Sequence, residues 1–312
     1  MRIVSVSRRT DIPAFYGKWF MNRVQAGFVL VENPFSGKLY AVSLRPDDVA
    51  GFVFWSKNFK PFLPVLPVLK DRGYGFYFHY TITGLPRLFE PSVPPAEETL
   101  ESFSALADRT SSEHVFWRYD PIVVSDVSDR IYHIERFQTL ARALEGKTRR
   151  CYVSFPTLYA KVRRRFDALL QKENIRVVDP SPEAKRELIG TLAEIATNSG
   201  ITLYSCCDEN LVGGNVRKAR CVDSDTMNRL FPNRAADAKR NPSRKGCGCS
   251  DSKDIGAYDS CPHGCIYCYA NARREFAGNV FRTHDAANEL LSAGNKSDYE
   301  KRKKEALQAI GW

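Results

Sequence analysis

Phe52-Val-Phe-Trp-Ser-Lys-Asn58 is an apolar run that stops in three polar residues. A Pro- and Leu-rich stretch with helical character follows over 61–72, and then a second apolar run over 74–80. Strand, polar loop, helix and strand in succession is the pattern of a parallel sheet, because a parallel neighbour needs a crossover connection. The pattern recurs on both sides. Upstream, 2–6 alternates as a strand, 7–13 reads as a loop, 15–26 has helical spacing closed by Gly27, and 28–31 or 40–44 supplies another strand around a turn at 33–37. Downstream, strands are expected at 114–117, 151–155 and 201–204, with helices over 96–107, 131–144, 159–173 and 182–198.

About seven strands in this rhythm predict an α/β fold. A (β/α) barrel, complete or open, suits that number better than a short flavodoxin-like sheet. The phosphate-binding patterns G-x-G-x-x-G and G-x-x-x-x-G-K-[ST] are absent, which argues against a nucleotide fold. The expected organisation is a barrel over 1–205, a cysteine-rich segment over 206–283 packed on its mouth, and a charged helix or tail over 284–312.

The bulk properties narrow the setting. No run of 18 apolar residues is present, so no membrane span is expected. The N-terminus enters a strand directly and lacks signal-peptide character. Eight of the nine cysteines fall between 206 and 268. An odd count without a signal points to a reduced cytoplasm rather than a disulfide framework. The net charge of +10 permits a nucleic-acid partner. The plainer explanation is solvated basic faces, including 163–165 and 301–304.

In such folds, ligands sit at the C-terminal ends of the strands. Arg8, Arg9 and Asp11 follow the first strand, and Lys57 and Asn58 the third. His79 and Thr81 end the fourth, Arg118 and Asp120 the fifth, and Ser154 the sixth; Cys206, Cys207, Asp208 and Glu209 follow the last. Arg118 and Asp120 are two residues apart and share a face, so they can pair or together hold a zwitterion. His79 has the chemistry of a general acid or base. A packed, hydrogen-bonded histidine is the ordinary alternative, as helix capping is for the aspartates.

The cysteines carry the sharpest signal. Cys261-Pro-His-Gly-Cys265-Ile-Tyr-Cys268 reads C-x3-C-x2-C, three thiolates from one loop with Tyr267 before the third. Three ligands suit a four-iron cluster with one iron left open; zinc usually takes four protein ligands. Cys206, Cys221, Cys247 and Cys249 are candidates for a second iron–sulfur cluster, with zinc as the alternative.

The triad spacing and Tyr267 resemble the cluster motif of radical S-adenosylmethionine (SAM) enzymes. That resemblance implies a 4Fe-4S cluster on Cys261, Cys265 and Cys268, with SAM chelated on the open iron and reductively cleaved to an adenosyl radical. Tyr267, Arg118, Asp120 and Ser154 would bind the cofactor. Arg8, Asp11, Lys57, His79, Arg118 and Asp120 would serve SAM and an unknown substrate, and a flavodoxin or ferredoxin would supply the electron. The chain departs from that superfamily in carrying the loop last and in lacking a Gly-Gly-Glu motif after an early strand; Gly213-Gly214-Asn215 is a poor substitute.

Ser7-Arg-Arg-Thr-Asp-Ile-Pro13, Phe54-Trp-Ser-Lys-Asn58, Trp117-Arg-Tyr-Asp-Pro-Ile122, Ser205-Cys-Cys207, and Asp254-Ile-Gly-Ala-Tyr258 running into Cys268-Tyr-Ala270 also resemble a bacterial domain-of-unknown-function family, over roughly residues 1–283. That likeness implies a C-terminal radical-SAM-like cluster and no particular reaction. Three expectations compete with a radical-SAM-like enzyme. They are a non-catalytic iron–sulfur protein for electron transfer or redox sensing, a nucleic-acid-binding or repair protein with a structural cluster, and a zinc-stabilised barrel.

Overall fold

A computed structural model describes residues 1–237, 239–242, 244–292 and 298–312. Twelve strands and ten α-helices lie among the described residues. The strands are β1 (Arg2–Val6), β2 (Phe28–Glu32), β3 (Leu39–Ser43), β4 (Val49–Ser56), β5 (Phe76–Thr81), β6 (Val115–Tyr119), β7 (Val124–Ser125), β8 (Arg150–Val153), β9 (Val177–Val178), β10 (Thr202–Ser205), β11 (Val216–Lys218) and β12 (Lys253–Asp254). Eight of them form one parallel sheet in the order β11-β10-β8-β6-β5-β4-β1-β12.

The helices are α1 (Ile12–Phe15), α2 (Gly17–Ala26), α3 (Val65–Asp71), α4 (Ala96–Arg109), α5 (Arg130–Ala143), α6 (Ala160–Glu173), α7 (Pro182–Asn198), α8 (Ser224–Leu230), α9 (Arg274–Arg282) and α10 (Tyr299–Gln308). Their starts follow from capping chemistry. Asp11, Asp129 and Ser181 each accept a hydrogen bond from a first-turn N–H, at Ala14, Tyr132 and Ala184 respectively.

The alternation of side chains along each strand divides the core in two. On one face, Val4, Val6, Phe52, Phe54, Phe76, Phe78, Trp117 and Tyr119 pack against the apolar stripes of α2, α3, α4, α5 and α7. On the other, Ile3, Val53, Tyr77, Phe116 and Tyr152 pack against Ala219, Cys221, Val222 and Met227 of the cysteine-rich segment. That segment approaches the sheet so closely that a Cβ at Gly51 would run into the Met227 sulfur.

Six of the runs expected as strands join the sheet. The 28–31 and 40–44 runs do not: they pair with each other as an antiparallel hairpin, β2-β3, on which α10 packs. Both edge strands, β11 and β12, come instead from 206–283, where no periodicity announced them. The stretch 7–13, read as loop, already contains the start of α1. The cysteine-rich segment ends in α9, and within 284–312 the helix is α10; positions 293–297 of that tail lie outside the described residues. No helix is long and apolar enough to cross a membrane among the described residues.

Candidate metal centre

The loop bearing Cys261, Cys265 and Cys268 is seated on the C-terminal ends of β1 and β4 and on the connection after β5. Its anchors begin with the turn after β1. Asp254, in β12, accepts from Ser5 Oγ, Ser7 Oγ and the Arg8 N–H, each at 2.8 Å, and from the Gly256 N–H at 3.0 Å. The Arg8 guanidinium lies 3.6 Å from the same carboxylate. A buried carboxylate is tolerated only with such partners. Thr10 Oγ1 donates to Ala257 O at 2.5 Å, Tyr16 OH to Ser260 O at 2.6 Å, and Tyr269 OH to Arg8 O at 2.6 Å.

Asp11 does double duty. It caps α1 and accepts from the Lys57 N–H at 2.8 Å. Its Oδ2 also meets Nε2 of His263, inside the cysteine loop, at 2.8 Å. Beside it, the Lys57 ammonium pairs with Glu90 at 2.8 Å, and the same carboxylate oxygen accepts from Thr83 Oγ1 (2.8 Å) and Tyr267 OH. Burial disfavours charge on both partners, yet each holds the other ionised: Lys57 is pushed up and Glu90 down. From the far side, Arg165 donates to the carbonyls of Ile266 (3.1 Å), Cys268 (2.8 Å), Ala272 (3.2 Å) and Asn271.

The three thiols stand near enough to act on each other electrostatically. Burial pushes the Cys265 thiol up to about 12, against the downward pull of the Lys57 ammonium. Burial likewise raises Cys261, with Asp11 adding to the rise. The Ala270 N–H donates to Cys268 Sγ at 3.3 Å, a contact that suits a thiolate ligand. Among the described residues, no three His, Cys, Asp or Glu side chains close around a single ion. Three thiols presented to a multinuclear cluster need no such closure, since each binds a different metal atom.

Arg118, Asp120 and Ser154 form a self-satisfied group. Arg118 Nη2 donates to Asp120, Ser154 Oγ donates to the other carboxylate oxygen, and Arg118 Nη1 reaches Cys221 Sγ at 3.2 Å. The guanidinium also lies over Trp55 and Tyr152. His79 is fully buried, stacks on Trp55 at 4.2 Å and donates from Nε2 to the Cys221 carbonyl at 2.6 Å. Burial and the neighbouring Arg118 hold it well below the ordinary histidine range, which favours the neutral ring.

A second group of cysteines lies at the ends of β10 and β11. Cys206 Sγ is 3.7 Å from Cys207 Sγ and 3.6 Å from Cys221 Sγ. Thiol contacts continue from Cys221 to Cys249, from Cys249 to Cys247 and from Cys247 to Cys207.

Glu90, His263, Asp254 and Arg165 were given no role from sequence. Glu90 sits in a proline-rich loop and Arg165 in a basic run read as a solvated face. Arg163 and Arg164 are indeed exposed, whereas Arg165, on the next helical position, turns inward. His263 and Asp254 lay inside quoted motifs, and their spacing to the cysteines was the available signal.

The family model described as a domain of unknown function (DUF1848) matches residues 3–270. No curated protein matches the chain. Similar solved structures include a D-hydantoinase from a Bacillus sp. AR9 (11% identity, TM-score 0.29, 61% of this chain and 39% of that one). Another D-hydantoinase is 9% identical (TM-score 0.31; 75% and 45%). A dihydropyrimidinase from Brevibacillus agri NCHU1002 is 11% identical (TM-score 0.30; 67% and 46%). The chain thus spans less than half the length of each.

Proposed function

The chain belongs to the DUF1848 family, and on that footing we propose that it is a radical-SAM-like iron–sulfur protein whose sheet curves as an open (β/α) barrel around the cysteine-rich segment. Cys261, Cys265 and Cys268 would hold a 4Fe-4S cluster. When bound, the cluster would supply an open iron for the amino and carboxylate groups of SAM and the electron that cleaves one of its carbon–sulfur bonds.

The observation that carries this reading is the seating of the triad. Three thiols from one loop are gathered at the strand ends, the place where open α/β sheets bind ligands, above a buried Lys57–Glu90–Tyr267 network. The donor set fits the cluster: three thiolates, a backbone N–H on Cys268 Sγ, and a lysine ammonium beside Cys265 to offset thiolate charge. Glu90 fixes the Tyr267 ring through its hydroxyl. Asp11 and His263 tie the loop to β1, so that the thiols keep their positions without the loop wandering into solvent. Arg8, Arg118 and Asp120 line the same rim.

One observation favours a second reading, a non-catalytic iron–sulfur protein for electron transfer or redox sensing. Arg118, Asp120 and Ser154 already satisfy one another, and Arg8 is engaged by Asp254.

One experiment separates the two. Anaerobically reconstituted protein is assayed for iron and sulfide, reduced, and examined by electron paramagnetic resonance with and without SAM. About four irons at the triad, a spectrum that shifts with SAM and formation of 5′-deoxyadenosine are expected. Cys265→Ala should lose the iron and the response together; retention of both would overturn the triad assignment. Iron without any SAM response selects the electron-transfer reading.

A further inference from the structure

We propose that Cys206, Cys221, Cys247 and Cys249 form a tetrathiolate site for a single tetrahedral metal ion of the zinc type, distinct from the triad, which clamps together the two open edges of the parallel sheet.

The spacing of the sulfurs decides between an ion and a cluster. A tetrahedral zinc with Zn–S bonds of about 2.3 Å has sulfur–sulfur edges of about 3.8 Å. Cys206 Sγ stands 3.6 Å from Cys221 Sγ, and Cys221 interacts with Cys249 and Cys249 with Cys247. On a four-iron cluster each thiolate binds a different iron, and the sulfurs are held well apart. The 3.6 Å separation of Cys206 and Cys221 is that of two ligands to one shared ion. Among the described residues, no three of these free thiols yet surround one ion position.

The group holds five thiols, and the fold selects four. Cys221 and Cys249 are buried in the inner-face core, with Cys206 and Cys247 packed against it; Cys207 is outside that cluster. Cys207 also has a left-handed backbone, φ 63°. The surroundings suit anionic sulfur. Arg118 Nη1 lies 3.2 Å from Cys221 Sγ, Arg244 Nη2 lies 4.0 Å from Cys206 Sγ, and the Val222 N–H donates to Cys249 Sγ at 3.4 Å. Four thiolates on a divalent ion leave net negative charge, which the two guanidinium groups offset.

The place in the topology gives the site its task. β11 and β12 are the sheet's two edges and are not paired with each other. Cys206 follows β10, Cys221 follows β11, and Cys247 and Cys249 precede β12. Around them the chain is already stitched, since the Ser250 N–H donates to Val222 O at 2.8 Å. A metal here joins the two edges by coordinate bonds, so its binding energy is folding energy.

The inference does not rest on the triad, and the test keeps the two apart. A full-length Cys261→Ala/Cys265→Ala/Cys268→Ala variant, expressed with zinc and iron supplied, is assayed for metals and sulfide. About one zinc per chain and no sulfide is expected. Replacement by cobalt(II) should give the visible bands of a tetrahedral tetrathiolate. Adding Cys206→Ser, Cys221→Ser, Cys247→Ser or Cys249→Ser should abolish that binding, and Cys207→Ser should retain it. Iron and sulfide in place of zinc, no metal at all, or loss of zinc in Cys207→Ser would overturn the proposal. Should the triple variant fail to fold, zinc K-edge absorption on the unsubstituted protein reads the same point: four sulfurs at about 2.3 Å are expected, and nitrogen or oxygen ligands would refute it.

Discussion

Glu90→Gln is the most informative single substitution, because it keeps the shape of the triad's footing and removes only its charge. The Lys57 and Glu90 side chains are 13% and 6% exposed, and their charged atoms are 2.8 Å apart. At 2.8 Å, an effective dielectric of about 20 gives about 6 kcal/mol of attraction, much of it spent on desolvating the two groups. Removing one partner leaves a buried ammonium without compensation, which costs about 3–5 kcal/mol. With about 2.1 cal/mol/K of unfolding entropy per residue over 312 residues, that loss is a fall in Tm of about 5–8 °C. Differential scanning calorimetry at neutral pH reads it directly. Lys57→Met added to Glu90→Gln should recover a large part of the loss, since the stranded charge is gone. A drop of less than about 1 kcal/mol in the single variant, the range of a solvated surface pair, would refute the argument. So would a double variant less stable than Glu90→Gln.

Three further outcomes are expected. Arg165→Ala removes donors to four carbonyls of the cysteine loop and should cost about 1–3 kcal/mol; limited proteolysis should show new cleavage near 266–272, and an unchanged digest would refute the clamp. His133 accepts from Tyr119 OH on Nδ1 (2.7 Å) and donates from Nε2 to Val123 O (2.9 Å), and burial lowers its pKa from 6.5. The unfolded chain therefore binds a proton that the native state refuses, and stability falls as pH drops below 6.5 at up to about 1.4 kcal/mol per pH unit. In urea titrations between neutral pH and pH 5.5, His133→Gln should flatten that slope, and an unchanged slope would count against the assignment. Gly246 has φ 76°, and a Cβ there would lie 2.8 Å from Cys207 O. Gly246→Ala should cost about 1–2 kcal/mol in strain and weaken metal retention at the second cysteine group; retention at the original affinity would argue that this turn does not set the thiols.

The parallel core was legible because burial on both faces leaves long apolar runs. Each of 52–55, 74–80 and 114–117 is too apolar to be a half-exposed strand. The polar rim was legible for a related reason: the runs end together in polar and charged residues. The edges were not. β11 is three residues and β12 two, shorter than any periodicity can mark, and both are set by tertiary pairing. The hairpin was miscounted because 28–31 reads like a buried strand; Phe28 and Leu30 meet α10 while Val29 and Val31 reach the main core, so both faces are covered without a place in the sheet. Of the site, the thiols announced themselves by spacing. The residues that hold them, Glu90, Asp254 and Arg165, act at a distance in sequence that no local pattern encodes.

That separation has a consequence for biogenesis. Ser7 meets Asp254, Thr10 meets Ala257 and Asp11 meets His263 across 247 to 252 residues. At about 5–20 residues per second of synthesis, the earliest strand waits roughly 12–50 s for the segment that completes its side of the sheet. During that interval β1 has an unpaired edge and the rim it carries stands open. Seating of the cysteine loop on that rim is therefore one of the last events in the protein's maturation. A ribosome stalled before residue 254 would display a nascent chain with its central strands in place and a raw edge for chaperones or other chains to find.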